Sequence, residues 1–205
     1  MADTFQDMLA GDLFLQCDRP NPEAFRPLPR GFSTRPCRRE ELIIWKTIFA
    51  QGKYMDYVNL YYEKVYAPYE DEFFRRCIFA VDERDRPVAT SGIWLSYGKI
   101  NTVLGFFVLP EYGGRGIGRG LLSEVMKHAE YPLYVHTHPI ARAAIKLYVD
   151  FGFQFITNPV IGYRKNNLQE SLPYLKDVLS ETSLQTVKAN PALLEAARLN
   201  EFAEF

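Results

Sequence analysis

The chain has 205 residues, of which 47% are hydrophobic and 24% charged, a balance typical of a globular protein with room for one domain. Its formal net charge of -1 argues against a nucleic-acid partner, which would need a basic surface. Three cysteines without C-x-x-C spacing argue against a disulfide framework and a four-cysteine zinc site.

The first part of the chain predicts little regular structure. Residues 13–16 indicate a short strand or the end of a helix, and the proline-rich stretch 19–30 indicates an extended connector before a short strand at 32–35. The start lacks the basic residues and apolar run of a signal peptide. Since no apolar stretch reaches the roughly 20 residues that span a bilayer, we expect a reduced, cytoplasmic protein without a membrane partner.

Helical and then β periodicity follow along the chain. Apolar residues recur every three or four positions over 38–49, which predicts an amphipathic helix, and 53–76 predicts one or two more, interrupted near Pro68. The next segments are β-rich and lie at 77–81, 88–97 and 101–109. Short turns join these segments, so they predict an antiparallel meander.

The second half alternates between the two periodicities. Its predicted elements are a helix opening at the glycines of 113–120, a strand at 133–137, a helix at 142–151, a closing hairpin of 153–157 with 160–164, and tail helices at 173–180 and 191–202. Each tail helix is expected to begin at its proline, where a missing N–H costs nothing. The whole pattern predicts an α+β fold with a mixed, mostly antiparallel central sheet and flanking helices.

A glycine-rich segment, P-E-Y-G-G-R-G-I-G-R-G over 110–120, lies between a predicted strand and a predicted helix. Glycines let several N–H groups face one point, and the helix start adds unpaired N–H groups, which suits a diphosphate. A P-loop is excluded because Arg119 follows Gly118, and neither register of the G-x-G-x-x-G fingerprint ends in glycine. The alternative is a turn that only lets a helix and a strand pack closely.

Two motifs together resemble the GNAT superfamily of N-acetyltransferases. The first is V-L-P at 108–110 followed by G-I-G at 116–118, and the second is A-I-K-L-Y at 144–148 followed by Gly-Phe at 152–153. The family's usual Gln or Arg is replaced by Gly113 and its usual Asn by Ala141. The resemblance implies a GNAT-like acyltransferase domain over 31–165. An N-terminal extension at 1–30 and a helical C-terminal extension at 166–205 would flank it.

The resemblance implies acetyl-CoA as the acyl donor and no metal. Two backbone N–H groups, at Phe107 and Val108, would hold the thioester carbonyl, and a side chain at Arg115 could replace the charge missing at Gly113. The residues expected to bind the cofactor are Phe107, Val108, Gly113, Gly114, Arg115, Gly116, Ile117, Gly118 and Arg119.

The resemblance also implies direct attack by the amine, with Tyr148 protonating the departing thiolate; the alternative is a tyrosine that only packs on the sheet. His136 is the first candidate for the general base, and the carboxylates of 70–72 come next. With His138 it could instead suggest a metal site, but no third ligand is visible in the sequence.

The acceptor is left open as a small-molecule amine or a peptide amine. A group of tyrosines in the predicted helices, mostly three or four residues apart, would form a core-facing stripe or an aromatic wall for the acceptor: Tyr54, Tyr57, Tyr61, Tyr62, Tyr66 and Tyr69. The tail helices are expected to dock on the domain or on a second copy of the chain, as in a homodimer. An acyl-CoA sensor without transfer activity and a non-catalytic interaction module are the other functional hypotheses.

Overall fold

The computed structural model describes residues 8, 10–51, 54–198 and 204. The strands are β1 (Leu13–Cys17), β2 (Phe32–Pro36), β3 (Ile78–Asp82), β4 (Pro87–Ser96), β5 (Ile100–Val108), β6 (Leu133–Thr137), β7 (Gln154–Ile156), β8 (Val160–Ile161), β9 (Arg164–Lys165) and β10 (Thr186–Val187). The helices are α1 (Leu42–Ala50), α2 (Met55–Tyr61), α3 (Glu70–Arg76), α4 (Ile117–Met126), α5 (Arg142–Asp150), α6 (Leu168–Val178) and α7 (Pro191–Arg198). In these ranges, the structure contains no helix with the length and apolar character of a transmembrane span.

The sheet confirms the α+β prediction. Eight strands follow the order β10-β7-β1-β6-β5-β4-β3-β2, and β8 pairs separately with β9. The pairs β5–β6 and β10–β7 are parallel, whereas β1 pairs antiparallel with both β6 and β7, and β2–β3 and β3–β4 are antiparallel. The predicted meander is present as β3, β4 and β5.

The described residues divide into two compact units. The first is drawn from Met1–Ala24, Leu95–Thr102 and Glu130–Phe205, and the second from Phe25–Trp94 and Val103–Ala129. Strands β4 and β5 contribute residues to both units. The predicted partition at residues 30 and 165 stays a prediction, but the stretch expected to be an N-terminal extension supplies β1 to the sheet.

In the first unit, β1 is buried along its whole length between β6 and β7. Side chains alternate across a strand, and the Sγ atom of Cys17 lies 3.8 Å from the carbonyl oxygen of Phe151, at the end of α5. The opposite face holds Phe14, which packs with Tyr134 and with Leu193 of α7. Helices α5 and α7 therefore contact opposite faces of this part of the sheet.

Two details of the first unit differ from the sequence predictions. The closing hairpin is wrong, because β7 pairs with β1 and β10, whereas β8 pairs with β9 across a two-residue turn. The first tail helix does not begin at Pro173, which lies inside α6. One buried stripe runs along α6 on both sides of this proline: Leu168, Ser171, Leu175 and Val178. Packing of this stripe outweighs the local preference of proline for a helix start.

In the second unit, α4 packs with strand residues of β3, β4 and β5 on one face of the sheet. Its buried residues Ile117, Leu121 and Val125 belong to a core cluster that also includes Val88 and Phe106. Aromatic residues of α1 contact the opposite face, where the ring centroids of Phe49 and Phe107 are 4.8 Å apart. Helices α4 and α1 therefore cover different faces of β5.

The last glycine of the glycine-rich segment has a packing role that can be tested. A Cβ atom at Gly120 would lie 2.7 Å from the Cα atom and 2.9 Å from the backbone nitrogen of Leu28. We expect Gly120→Ala to lower the free energy of unfolding by about 1–3 kcal/mol, because backbone must move to admit the methyl group. Urea denaturation would show this as a lower midpoint, and an unchanged midpoint would contradict the close approach.

Candidate active site

The glycine-rich segment forms an exposed turn that leads directly into α4. After a 3-10 turn at Pro110–Tyr112, residues 113–116 are exposed, and Gly116 precedes the helix with φ of +83°. Glycine adopts this left-handed conformation readily, whereas a residue with a Cβ atom is strained there. The sequence predicted both the turn and the helix start correctly.

Several backbone N–H groups of this turn have no protein acceptor. The N–H groups of Tyr112 and Gly113 close the 3-10 turn, and inside α4 the N–H of Gly120 donates to the carbonyl of Gly116. In the part of the chain that the structure describes, the N–H groups of residues 114–118 donate to no backbone carbonyl. A run of unpaired donors at a helix N-terminus is an anion-binding arrangement, and the helix dipole adds to it.

Arg115, the side chain expected to replace the charge missing at Gly113, lies beside the turn. Its Nη2 atom donates to the carbonyl of Glu111 at 3.0 Å, and its guanidinium stands 5.1 Å from the ring centroid of Tyr112. The side chain is exposed and cationic. It adds positive charge next to the unpaired N–H groups.

The end of β5 separates the two predicted carbonyl-binding groups. The N–H of Leu109 donates to the carbonyl of Val88 on β4 at 2.9 Å. Because N–H groups alternate sides along a strand, the N–H of Phe107 points towards β4 and that of Val108 points away from it. Val108 therefore has the geometry that suits binding of an oxygen outside the sheet, and Phe107 does not share it.

Tyr148 lies on α5, in the first unit, and is only 3% exposed. Its ring centroid is 5.5 Å from that of Phe153, which belongs to the same sequence motif. Burial raises the pKa of Tyr148 well above its usual range. The phenol therefore stays protonated at neutral pH, which is the form a proton donor requires.

His136 is engaged by two charged side chains. Its Nε2 atom lies 2.8 Å from Oδ1 of Asp12 and 2.9 Å from Nη2 of Arg164. Arg164 also binds both carboxylate oxygens of Asp12, at 2.8 and 3.0 Å. Burial lowers the pKa of His136 to about 4, against the opposing effect of Asp12. The imidazole is neutral at neutral pH, but one of its two nitrogens is already occupied.

His136 also lies on a defined face of the sheet. It pairs with Phe14 in the β1–β6 register, and its ring centroid is 5.2 Å from that of Phe14. This face is the one that contacts α7, whereas α5 contacts the other face of the same strands. Within the first unit, His136 and the helix of Tyr148 are therefore on opposite faces. The base role of His136 stays a prediction.

Asp12 is a third candidate metal ligand beside His136 and His138, and the sequence did not reveal it. Ligand atoms of Asp12, His136 and His138 lie within 4.8 Å of one another. However, Arg164 already binds the carboxylate, and Nδ1 of His138 lies 3.1 Å from the carbonyl of Gly11, which fixes that nitrogen as an N–H donor. The donor set fits an ion-pair cluster better than a divalent cation.

The carboxylates considered as alternative bases are all paired with arginine. Glu70 accepts from Nη1 of Arg39 at 2.6 Å, and the same guanidinium contacts Asp71. Glu72 pairs with the two arginines that end α3, Arg75 and Arg76. Each of the three carboxylates is therefore paired with an arginine at the surface of the second unit, and none is an unpaired base.

The Asp12, His136 and Arg164 cluster gives stability a specific pH dependence. An unfolded histidine takes up a proton near pH 6.5, whereas folded His136 does so near pH 4. The folded state is therefore destabilised as pH falls from 6.5 to 4, by on the order of 3 kcal/mol. Burial alone would raise the pKa of Asp12, but hydrogen bonds with His136 and Arg164 outweigh it and lower the pKa. The stability that ionised Asp12 contributes is therefore lost only below about pH 4.

Urea unfolding between pH 7.5 and 4.5 would measure this dependence. His136→Gln should flatten the curve between pH 6.5 and 4.5, since it removes the group that titrates there. An equally steep curve in the variant would assign the loss of stability to other groups.

A diphosphate-binding helix start after a strand of a mixed sheet is a feature of acyltransferases that use CoA thioesters. Residues 44–153, more than half of the chain, match the family model described as the acetyltransferase (GNAT) family. The chain therefore belongs to the GNAT family, in agreement with the motifs at 108–118 and 144–153.

Solved structures agree at the level of the fold. A GNAT-family acetyltransferase from Colwellia psychrerythraea is 18% identical, with a TM-score of 0.53 over 71% of this chain and 53% of the other. A GCN5-related N-acetyltransferase from Sphaerobacter thermophilus is 20% identical, with a TM-score of 0.54 over 71% of this chain and 47% of the other. The matched region thus spans about half the length of each relative. No match to the sequence was found among curated proteins.

Proposed function

We propose that the protein is an N-acetyltransferase that transfers an acetyl group from acetyl-CoA to a primary amine. The observation that supports this most is the row of unpaired N–H groups over 114–118, at the N-terminus of a ten-residue helix. Such donors fit the two negatively charged phosphates of the CoA diphosphate. Arg115, within the row, and Arg119, directly after it, would add positive charge.

Acetyl-CoA, when bound, supplies an activated carbonyl and a thiolate leaving group. The chain's own contribution at the carbonyl is the N–H of Val108, which would stabilise negative charge as it develops on the oxygen. A donor placed in this way is worth about 2.7–4 kcal/mol of activation free energy in favourable cases. In this proposal the amine attacks directly, and the buried thiols of Cys17, Cys37 and Cys77 take no part.

Tyr148 would return a proton to the leaving sulfur. Its burial keeps the hydroxyl protonated, so the proton is available when the thiolate forms. Removal of the proton from the attacking ammonium would fall to His136 or to water. His136 is neutral at neutral pH, but its low pKa makes it a weak base and its Nε2 atom is engaged.

The test is release of free thiol from acetyl-CoA by the purified protein in the presence of primary amines. Amine-dependent release, together with thermal stabilisation by acetyl-CoA alone, is the expected result. Stabilisation without release for any amine would favour the acyl-CoA sensor. Absence of both, with longer acyl-CoAs included, would contradict the assignment of the glycine-rich turn.

A further inference from the structure

The aromatic residues of the second unit form a connected row that starts at β5. From Phe107 the ring centroids are 4.8 Å to Phe49, then 6.2 Å to Tyr61, then 5.8 Å to Tyr57. We refer to these four side chains as the aromatic row. Phe107, Phe49 and Tyr61 are half-buried, and Tyr57 at the outer end is 55% exposed. The row therefore leads from the strand to the surface.

The inner end of the row adjoins the predicted carbonyl-binding group. Phe107 directly precedes Val108, whose N–H points away from β4. The ring of Phe49 lies against Gly105, where a Cβ atom would meet two ring carbons at 2.7 Å. Absence of a side chain at Gly105 lets this ring sit directly on the strand, within three residues of Val108.

The ring of Tyr61 is held from behind by buried neighbours. It packs edge-on against the ring of Tyr66, with centroids 5.4 Å apart. Tyr66 is 3% exposed and packs edge-on against Trp94, with centroids 4.9 Å apart. This support fixes the exposed face of Tyr61, so a ligand would lose little entropy in ordering it.

The charges near the row in the sequence are mixed, with exposed carboxylates at Asp56 and Glu63 and an exposed ammonium at Lys64. The acidic side chains of α3 are paired with Arg39, Arg75 and Arg76. Lys46 also lies on this unit, 4.7 Å from the ring centroid of Tyr62. The row itself presents ring faces, which attract apolar and aromatic groups and a single ammonium through cation–π contact. Asp56, which directly precedes Tyr57, would add attraction for one ammonium.

We propose that the acceptor is a primary amine that bears an aromatic ring, bound along the aromatic row with its nitrogen towards Val108. This inference rests on the proposed function and names the substrate class for it. The transfer forms one amide bond and breaks one thioester bond. The products are an N-acetylated arylalkylamine and free CoA thiol, and the second ammonium proton goes to solvent or a base.

The experiment compares acetyl transfer to 2-phenylethylamine, tyramine, n-butylamine and spermidine, by free-thiol release and by mass spectrometry of the amide. We expect kcat/KM for the two aromatic amines to exceed that for the other two at least tenfold. Tyr61→Leu and Tyr57→Leu should reduce this preference about fivefold or more. Tyr61→Phe should retain it, because the ring remains.

Tyr163→Leu is the matched control, since Tyr163 is 56% exposed in the turn between β8 and β9 and is not part of the aromatic row. It should leave the preference and the KM for acetyl-CoA unchanged. Equal kcat/KM for all four amines, a preference for spermidine, or an unaltered preference in Tyr61→Leu would overturn the inference while leaving the transferase intact. Failure to acetylate any amine would overturn it too, and calorimetry with acetyl-CoA would show separately whether the proposed function also fails.

Discussion

Replacement of Tyr148 by phenylalanine is expected to lower kcat about 100-fold or more, with little change in the KM for acetyl-CoA. A positioned general acid typically contributes a factor of 100 to 10,000. The variant keeps the aromatic ring and its contact with Phe153, so it removes only the hydroxyl that would protonate the thiolate. Steady-state kinetics of thiol release at saturating amine would measure the effect.

The fold should survive this substitution. Tyr148 is buried against the sheet, and loss of one hydroxyl costs about 1 kcal/mol of stability. Tyr163→Phe is the matched control, because it removes the same hydroxyl group from a tyrosine that is 56% exposed, in the turn between β8 and β9. An unchanged kcat in Tyr148→Phe would assign protonation of the thiolate to water and leave Tyr148 a packing residue.

The pH profile gives an independent check of the same role. Because the pKa of Tyr148 is raised far above its ordinary value, its ionisation should not reduce kcat at any pH up to about 10. A fall in kcat between pH 8 and 10 that disappears in Tyr148→Phe would mean that the phenol ionises in that range. It would contradict the raised pKa that burial gives Tyr148.

The sequence predicted the elements whose signals are local. The meander β3–β5 follows from β-rich runs separated by short turns, and the start of α4 follows from glycines that precede an apolar stripe. Local sequence patterns also located the turn over 113–118 and placed Tyr148 on α5. In each case a few neighbouring residues were enough to identify the element.

The structural features that the sequence did not predict depend on contacts between distant residues. Strand β1 lies between β6 and β7, and its partner residues are more than 100 positions away, as in Phe14 with His136. No local pattern near residue 13 specifies such a pairing. The same reason explains the missed cluster, because Asp12, His136 and Arg164 meet only after β1 and β9 have been placed.

The tail shows a second kind of failure, in which packing overrides a local preference. Proline favours the first turn of a helix, yet Pro173 lies inside α6 because a buried stripe extends from Leu168 to Val178. The predicted hairpin failed for a related reason. Strand β7 gains two partners in the sheet, β1 and β10, whereas a hairpin with β8 would supply one.

Substitution of Gly116 by alanine is expected to raise the KM for acetyl-CoA at least tenfold while kcat at saturation changes little. Gly116 has φ of +83° and directly precedes α4, so it sets the direction of the N–H groups at Ile117 and Gly118. Alanine is strained by about 1 kcal/mol or more in this conformation, and relaxation would turn those donors away from a bound diphosphate. The added methyl group itself meets only Pro29, at 3.6 Å.

Gly98→Ala separates this effect from a general loss of stability. Gly98 has φ of +65° in the turn between β4 and β5, and a Cβ atom there would meet nothing within 4 Å. Both variants therefore introduce a similar backbone strain, but only the residue before α4 orients the unpaired N–H groups. Calorimetric titration with acetyl-CoA should show weaker binding for Gly116→Ala and wild-type binding for Gly98→Ala. Equal losses in both variants would mean that strain, rather than donor geometry, weakens binding, and the phosphate-binding role of the turn would no longer follow.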